Sequence, residues 1–127
     1  MTKPATILVV DDDARNVKLL ETVLGAEGHA VLTAGGGAEA LRVAAATLPD
    51  LIVLDIMMPD MNGFDVAERL KENPATRDIP ILMLTALDDR ESQRYALQMG
   101  AADFLCKPVK REALMARVEK LLPRQEG

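Results

Sequence analysis

Five short apolar runs, each followed by a stretch whose apolar residues recur at helical spacing, constrain this chain more than any other feature. Ile7-Leu8-Val9-Val10 is the first, cut off sharply by Asp11-Asp12-Asp13. Four consecutive apolar residues, rich in β-branching, predict a strand buried on both faces, as in a parallel sheet. From Ala14 the period changes: Val17, Leu20 and Leu24 fall on one helical face, with Asp13 as N-cap and Gly25 and Gly28 ending the helix. Ala30 to Ala34 is the second strand, and Leu41, Ala44, Ala45 and Leu48 trace the next helical face up to Pro49. Leu51 to Leu54 is the third strand, followed by a loop, Met58-Pro59-Asp60-Met61-Asn62-Gly63, and a helix marked by Phe64, Ala67 and Leu70. Ile81 to Leu84 is the fourth strand, and its helix carries Tyr95, Ala96 and Met99 before Gly100. Asp103 to Cys106 is the fifth strand, and Leu114, Val118 and Leu121 line a last helix ending at Pro123.

Strict alternation of strand and helix implies an α/β fold, a five-stranded parallel sheet covered by helices on both faces, because right-handed crossovers deposit helices there. At 127 residues the chain suits one domain, with a core over 4–122 and a polar tail over 123–127. The tail is too short for an output domain, which favours a regulator that stands alone. Aromatics are only 2% of residues, so the core must be built from Val, Leu, Ile, Ala and Met. A net charge of −5, with no Lys/Arg run, speaks against nucleic-acid binding. The single cysteine, Cys106, excludes an internal disulfide and fits a reducing cytoplasm. The N-terminus lacks a signal-peptide pattern, and no apolar run reaches the roughly 18 residues of a membrane span.

In open α/β sheets ligands bind beyond the carboxyl ends of the strands. The first strand ends in Asp11-Asp12-Asp13, the third in Asp55, the fourth in Thr85 and the fifth in Lys107. The second ends without an ionisable group, which makes it a candidate edge. Clustered carboxylates repel one another. A hard cation relieves that repulsion, and Mg2+ accepts a few carboxylates while keeping sites open for phosphate oxygens. Zn2+ ligands are missing, since the one histidine, His29, falls in a turn remote from this rim. A lysine and a hydroxyl beside the cluster suit a transferring phosphoryl group, and Asp55 can then act as a carboxylate nucleophile. Each element alone has an ordinary reading: an acidic triplet is a solvated turn with a cap, Thr85 a turn hydroxyl, Lys107 an exposed strand end. The functional reading rests on their occurring together, in order, on one rim.

The set Leu8-Val9-Val10-Asp11-Asp12, Asp55-Ile56-Met57-Met58-Pro59-Asp60-Met61-Asn62-Gly63, Leu84-Thr85-Ala86 and Phe104-Leu105-Cys106-Lys107-Pro108 resembles the receiver domains of two-component response regulators over essentially the whole chain. The segments 82–89 and 100–104 look especially like receivers found ahead of diguanylate cyclase domains. The resemblance implies the flavodoxin-like strand order 2-1-3-4-5 and a phosphorylation-dependent switch rather than a multiple-turnover enzyme. It implies Asp55 as phosphoacceptor, with Mg2+ held by Asp12 and Asp55, by Asp11 through a water, and by the backbone carbonyl of Met57. Thr85 and Lys107 would each bind a phosphoryl oxygen, and Lys107-Pro108 would be a cis peptide, a form readily adopted only before proline. Asp13 is read as a helix cap, not a third ligand.

The same resemblance makes Thr85 and Phe104 a switch pair, Phe104 turning inward as Thr85 moves; a plain core phenylalanine is the competing reading. The face of the fourth helix, fifth strand and fifth helix would then meet partners. Those implied are a sensor histidine kinase or histidine phosphotransfer protein, a downstream target or output domain, and a second copy after phosphorylation; neither nucleic acid nor membrane is expected. Met57 and Leu87, large and apolar where the family tunes hydrolytic water, imply a long-lived phosphoryl group. Three other readings compete. A haloacid-dehalogenase-type phosphatase resembles a pattern with a second Asp where Met57 stands. A dinucleotide or flavin domain needs a phosphate loop, yet Gly35-Gly36-Gly37 follows the wrong strand. A pseudo-receiver would not need the intact set of Asp12, Asp55, Thr85 and Lys107.

Overall fold

The computed structural model describes residues 4–86 and 90–122. Leu87 and Pro123, both singled out above, lie outside the described residues. In chain order the elements are β1 (Thr6–Val10), α1 (Ala14–Ala26), β2 (Ala30–Ala34), α2 (Gly37–Thr47) and β3 (Leu51–Asp55), followed by α3 (Gly63–Glu72), β4 (Ile81–Thr85), α4 (Arg90–Gln98), β5 (Asp103–Cys106) and α5 (Arg111–Leu121). All four strand pairings are parallel, in the order β2-β1-β3-β4-β5. The five expected strands are present, and β2 is an edge as its bare end suggested.

The sheet separates two cores, and strand alternation assigns residues to them. Ile7 and Val9, Leu51 and Val53, and Leu82 and Leu84 face Leu20 and Leu24 of α1 and Leu114 and Val118 of α5. Leu8 and Val10, Ile52 and Leu54, and Ile81 and Met83 face α2, α3 and α4 through Ala40, Ala44, Val66, Ala67, Leu70 and Ala96. The division follows from handedness. The chain steps from β1 to β2 in one direction and then from β1's other side through β3, β4 and β5, so right-handed crossovers put α1 on one face and α2 to α4 on the other. The reversal lies between β1 and β3. There the helices diverge, leaving a crevice beyond the strand ends.

Three local readings change. The buried face of α2 is Gly37, Ala40 and Ala44, while Ala45 is exposed and Leu48 is 52% exposed. Leu48 leaves the helix in a left-handed conformation, φ 48°, where its N–H still reaches the Ala44 carbonyl, so its side chain turns away from the core. Gly25 continues α1, and Gly28, at φ +91°, supplies the left-handed turn after it. Tyr95 is exposed on α4 rather than buried with Ala96, and meets Phe64 edge-on with ring centroids 4.7 Å apart. His29 stands at the opposite end of the sheet from the acidic rim, its Nδ1 accepting the Ala5 N–H at 3.0 Å.

Candidate functional site

At the carboxyl rim the elements deliver their polar residues to one place. Asp11 follows β1 directly, and its N–H donates to the Ala34 carbonyl, which fixes the exit from the strand. Its carboxylate is 1% exposed and accepts the Asp13 N–H at 2.9 Å on Oδ1 and the Asn16 amide at 2.9 Å on Oδ2. Asp13 caps α1 by accepting the Arg15 N–H, as its position after the strand predicts. Asp12 is exposed between them. Asp55 is the last residue of β3, 2% exposed, and Thr85 the last of β4, equally buried.

Lys107 follows β5, and its N–H donates to the Thr85 carbonyl at 2.7 Å, so the chain turns back over the strand ends. Its Nζ donates to Asp55 Oδ1 at 2.8 Å and lies 3.5 Å from Asp11 Oδ2. The Lys107–Pro108 peptide is cis. Asp11, Asp12 and Asp55 each offer a carboxylate oxygen, all within 4.8 Å of one another. Met57 is 64% exposed in the β3–α3 loop. Phe104 stands apart, partly buried against the core under α2 to α4. Asp11, Asp12, Asp55 and Lys107 are therefore gathered, Thr85 ends the adjacent strand, Met57 lies in the adjoining loop, and Phe104 packs on the sheet face.

Burial and negative neighbours dominate the electrostatics. Desolvation pushes the Asp55 carboxyl above its ordinary value; the Lys107 hydrogen bond opposes that, and the charges of Asp11 and Asp12 add to it. For Lys107, burial pulls the amine down, but the Asp55 hydrogen bond and the charges of Asp55 and Asp11 outweigh it, and the ammonium is held above its ordinary value. One lysine thus pairs with two members of a group of three carboxylates. The donor set is all oxygen, partly buried and under-neutralised, and it fits a hard divalent cation.

Three further residues shape the site, Asn16 outside the quoted motifs and Gly63 and Asp60 within them but given no role by the sequence. Asn16 holds Asp11 Oδ2, and its signal is the helical spacing from the acidic turn. Gly63 donates its N–H to the Ile56 carbonyl at 2.8 Å, and a methyl group there would meet the Asp55 carbonyl oxygen at 2.7 Å. Only glycine lets α3 begin so close to the end of β3. Asp60 accepts the N–H groups of Gly37 and Ala38 at the start of α2, a contact 23 and 22 residues away in the chain that no local pattern announces.

Comparison with known proteins agrees with this geometry. The family model described as the response regulator receiver domain matches residues 7–119. Response regulator PleD of Caulobacter vibrioides is 52% identical over 117 residues, covering 92% of this chain and 26% of that protein. The alkaline phosphatase synthesis transcriptional regulatory protein PhoP of Bacillus subtilis is 42% identical over 120 residues, 94% of this chain and 49% of that protein. The chain thus spans between a quarter and a half of the length of these relatives. Among solved structures, a putative response regulator from Chloroflexus aurantiacus superposes with a TM-score of 0.91 at 38% identity, covering 96% of this chain and all of that one. The chemotaxis protein CheY4 of Vibrio cholerae gives 0.89 at 32% identity, covering 94% of this chain and 100% of its own. Among the described residues, no helix is long and apolar enough to cross a membrane. The strand order, the acidic rim and these relatives together establish that the chain belongs to the response-regulator receiver domain family, the signalling modules of two-component systems.

Proposed function

We propose that this domain is switched by phosphorylation of Asp55, in the cytoplasm, by a sensor histidine kinase or histidine phosphotransfer protein. The carrying observation is the 2.8 Å pair between Lys107 Nζ and Asp55 Oδ1 inside a group of three carboxylates. An Asp55 oxygen attacks phosphorus of the donor's phosphohistidine. The new O–P bond replaces the N–P bond, whose electrons return to the imidazole. Lys107 follows the developing charge onto a phosphoryl oxygen, and the Thr85 hydroxyl donates to another. Asp11, Asp12, Asp55 and the Met57 carbonyl would hold Mg2+, which when bound neutralises phosphoryl charge. Hydrolysis returns the carboxylate, so the domain turns over only its own phosphoryl group.

The proposed readout runs from Thr85, the last residue of β4, to Phe104 in β5, which pairs with Met83 two residues before Thr85. Phe104 is only partly buried and thus has room to change rotamer. It reports to α4, β5 and α5, where Tyr95 and Leu97 are about half exposed. A target protein, an output domain or a second copy would dock there, with nucleic acid and membrane outside the domain's own contacts. The unit proposed to do this is the whole chain, 1–127.

The test is incubation with acetyl phosphate, with and without Mg2+, followed by intact mass. A single phosphate adduct that requires Mg2+ and is absent in Asp55→Asn is expected. Adduct formation without Mg2+, or in Asp55→Asn, would overturn the assignment. Continuous turnover of phosphorylated substrates would favour a phosphatase instead.

A further inference from the structure

The glycine run Gly35-Gly36-Gly37 is not a phosphate loop, and its conformation does not explain it. Among the described glycines, only Gly28 and Gly100 have positive φ. Gly36 is extended, at φ −170°. What it and Gly37 supply is room. A methyl group on Gly36 would stand 3.0 Å from Asp60 Oδ1 and 3.1 Å from Oδ2, and one on Gly37 would stand 2.8 Å from Met61 Cβ and 2.9 Å from Val66 Cγ2. Residues 60 and 61 are the far side of the loop that starts at Ile56, immediately after Asp55.

Asp60 enters that socket as a cap. Gly36 occupies the N-cap position of α2 and has no side chain to satisfy the first helical N–H groups. The Asp60 carboxylate does so from another element, accepting Gly37 N–H at 3.1 Å and Ala38 N–H at 3.2 Å. The β3–α3 loop is therefore pinned at two places. Its ends are tied where the Gly63 N–H donates to the Ile56 carbonyl at 2.8 Å, and its tip is held by Asp60 in the socket. Met57 lies on the span between Ile56 and Asp60, its side chain largely in solvent while the flanking Ile56 and Met58 are buried, so its backbone is placed by the loop around it.

We infer that Asp60, seated in the Gly36-Gly37 socket, is a positioning residue that sets the Met57 carbonyl for the cation and so tunes Mg2+ affinity. This rests on the proposed ligand set. Groups that orient ligands from outside the coordination sphere commonly govern affinity, because a ligand that must be ordered on binding binds more weakly.

The experiment is an amide NMR titration of the phosphate-free protein with MgCl2. It compares wild type, Asp60→Ala, Asp60→Asn and, as a control for loss of a loop cap elsewhere, Asn73→Ala, which removes a cap on the Ala75 N–H on the α3–β4 connection. Asp60→Ala is expected to weaken Mg2+ binding about tenfold. Asp60→Asn, whose single amide oxygen can replace only one of the two carboxylate acceptors, should fall between wild type and Asp60→Ala, and Asn73→Ala should bind as wild type does. Unchanged affinity in Asp60→Ala, with wild type binding normally, overturns the positioning role while leaving the ligand set standing. Equal weakening in Asn73→Ala overturns it too, as general destabilisation. Failure of the wild type to bind Mg2+ would overturn both readings.

Discussion

Lys107 Nζ stands 2.8 Å from Asp55 Oδ1 and 3.5 Å from Asp11 Oδ2, so one ammonium spans two carboxylates that leave different strands. The lysine is a quarter exposed and both acids are almost fully buried, which makes it the main protein counter-charge of the pocket. A phosphoryl group on Asp55 would draw it only a short way. Lys107→Met is expected to slow phosphorylation from acetyl phosphate on the order of 100-fold, as loss of one charged donor to a developing oxyanion does. A time course by intact mass checks this, and a rate within a factor of three of wild type would contradict it.

Asp12 is the exposed member of the acidic group and, among the described residues, has no side-chain hydrogen bond like those of Asp11. Its charge within the group is therefore mostly a cost unless a cation is bound. Asp12→Asn is expected to raise the melting temperature in EDTA by about 2–4 °C. It should also remove most of the extra stability that millimolar Mg2+ gives the wild type. Calorimetry with and without Mg2+ separates the two effects, and a lower melting temperature in EDTA would refute the first.

Gly63 touches backbone, which cannot give way as a side chain can. A methyl group there meets the Asp55 carbonyl oxygen at 2.7 Å and Ile56 Cα at 2.8 Å. Gly63→Ala is expected to cost about 2–3 kcal/mol in urea unfolding, as overpacking does. It should slow phosphorylation as well, since the displaced strand end carries Asp55. Gly25→Ala, where nothing lies within 4 Å inside α1, is the comparison and should be neutral or slightly stabilising.

The Asp60 carboxyl is held below its ordinary value of 3.8, chiefly by the N–H groups of Gly37 and Ala38. A carboxyl depressed in the folded state contributes stability that is fully present above the unfolded value and is lost as pH falls through the folded one. The melting-temperature difference between wild type and Asp60→Ala should accordingly be constant from pH 5 to 7, at the precision of about a degree, and shrink below pH 4. A gap that widens on acidification would refute it.

Met57 is exposed beside Asp55 and apolar, and Leu87 is apolar two residues beyond Thr85. Replacing both by polar groups should ease the approach of water to an aspartyl phosphate. Met57→Asn with Leu87→Glu is expected to shorten the phosphoryl half-life about tenfold, a barrier change of about 1.4 kcal/mol. Loss of the adduct followed by mass after removal of donor measures this, and an unchanged half-life would sink the expectation.

The apolar runs and the strand-end residues were legible in the sequence because both are local. Ile7 to Val10 can be buried on both faces only in the interior of a parallel sheet, and a strand's last residue must lie on the rim whatever the sheet's order. Helix faces were read less well: Ala45 lies just off the narrow face of Gly37, Ala40 and Ala44 that packs inward, and Leu48 leaves the core because the left-handed exit turns the chain there. Chain separation hid the rest. The approach of Lys107 to both Asp11 and Asp55, the closeness of Gly63 to the end of β3, and the Asp60 cap on α2 bring together residues between 8 and 96 positions apart. Their contacts depend on how the crossovers place β1 between β2 and β3. Composition and period set which elements form, since those follow from local burial and backbone preference. Which side chains share the rim was decided by tertiary structure, because only sheet order and crossover handedness set the distances over which charges act.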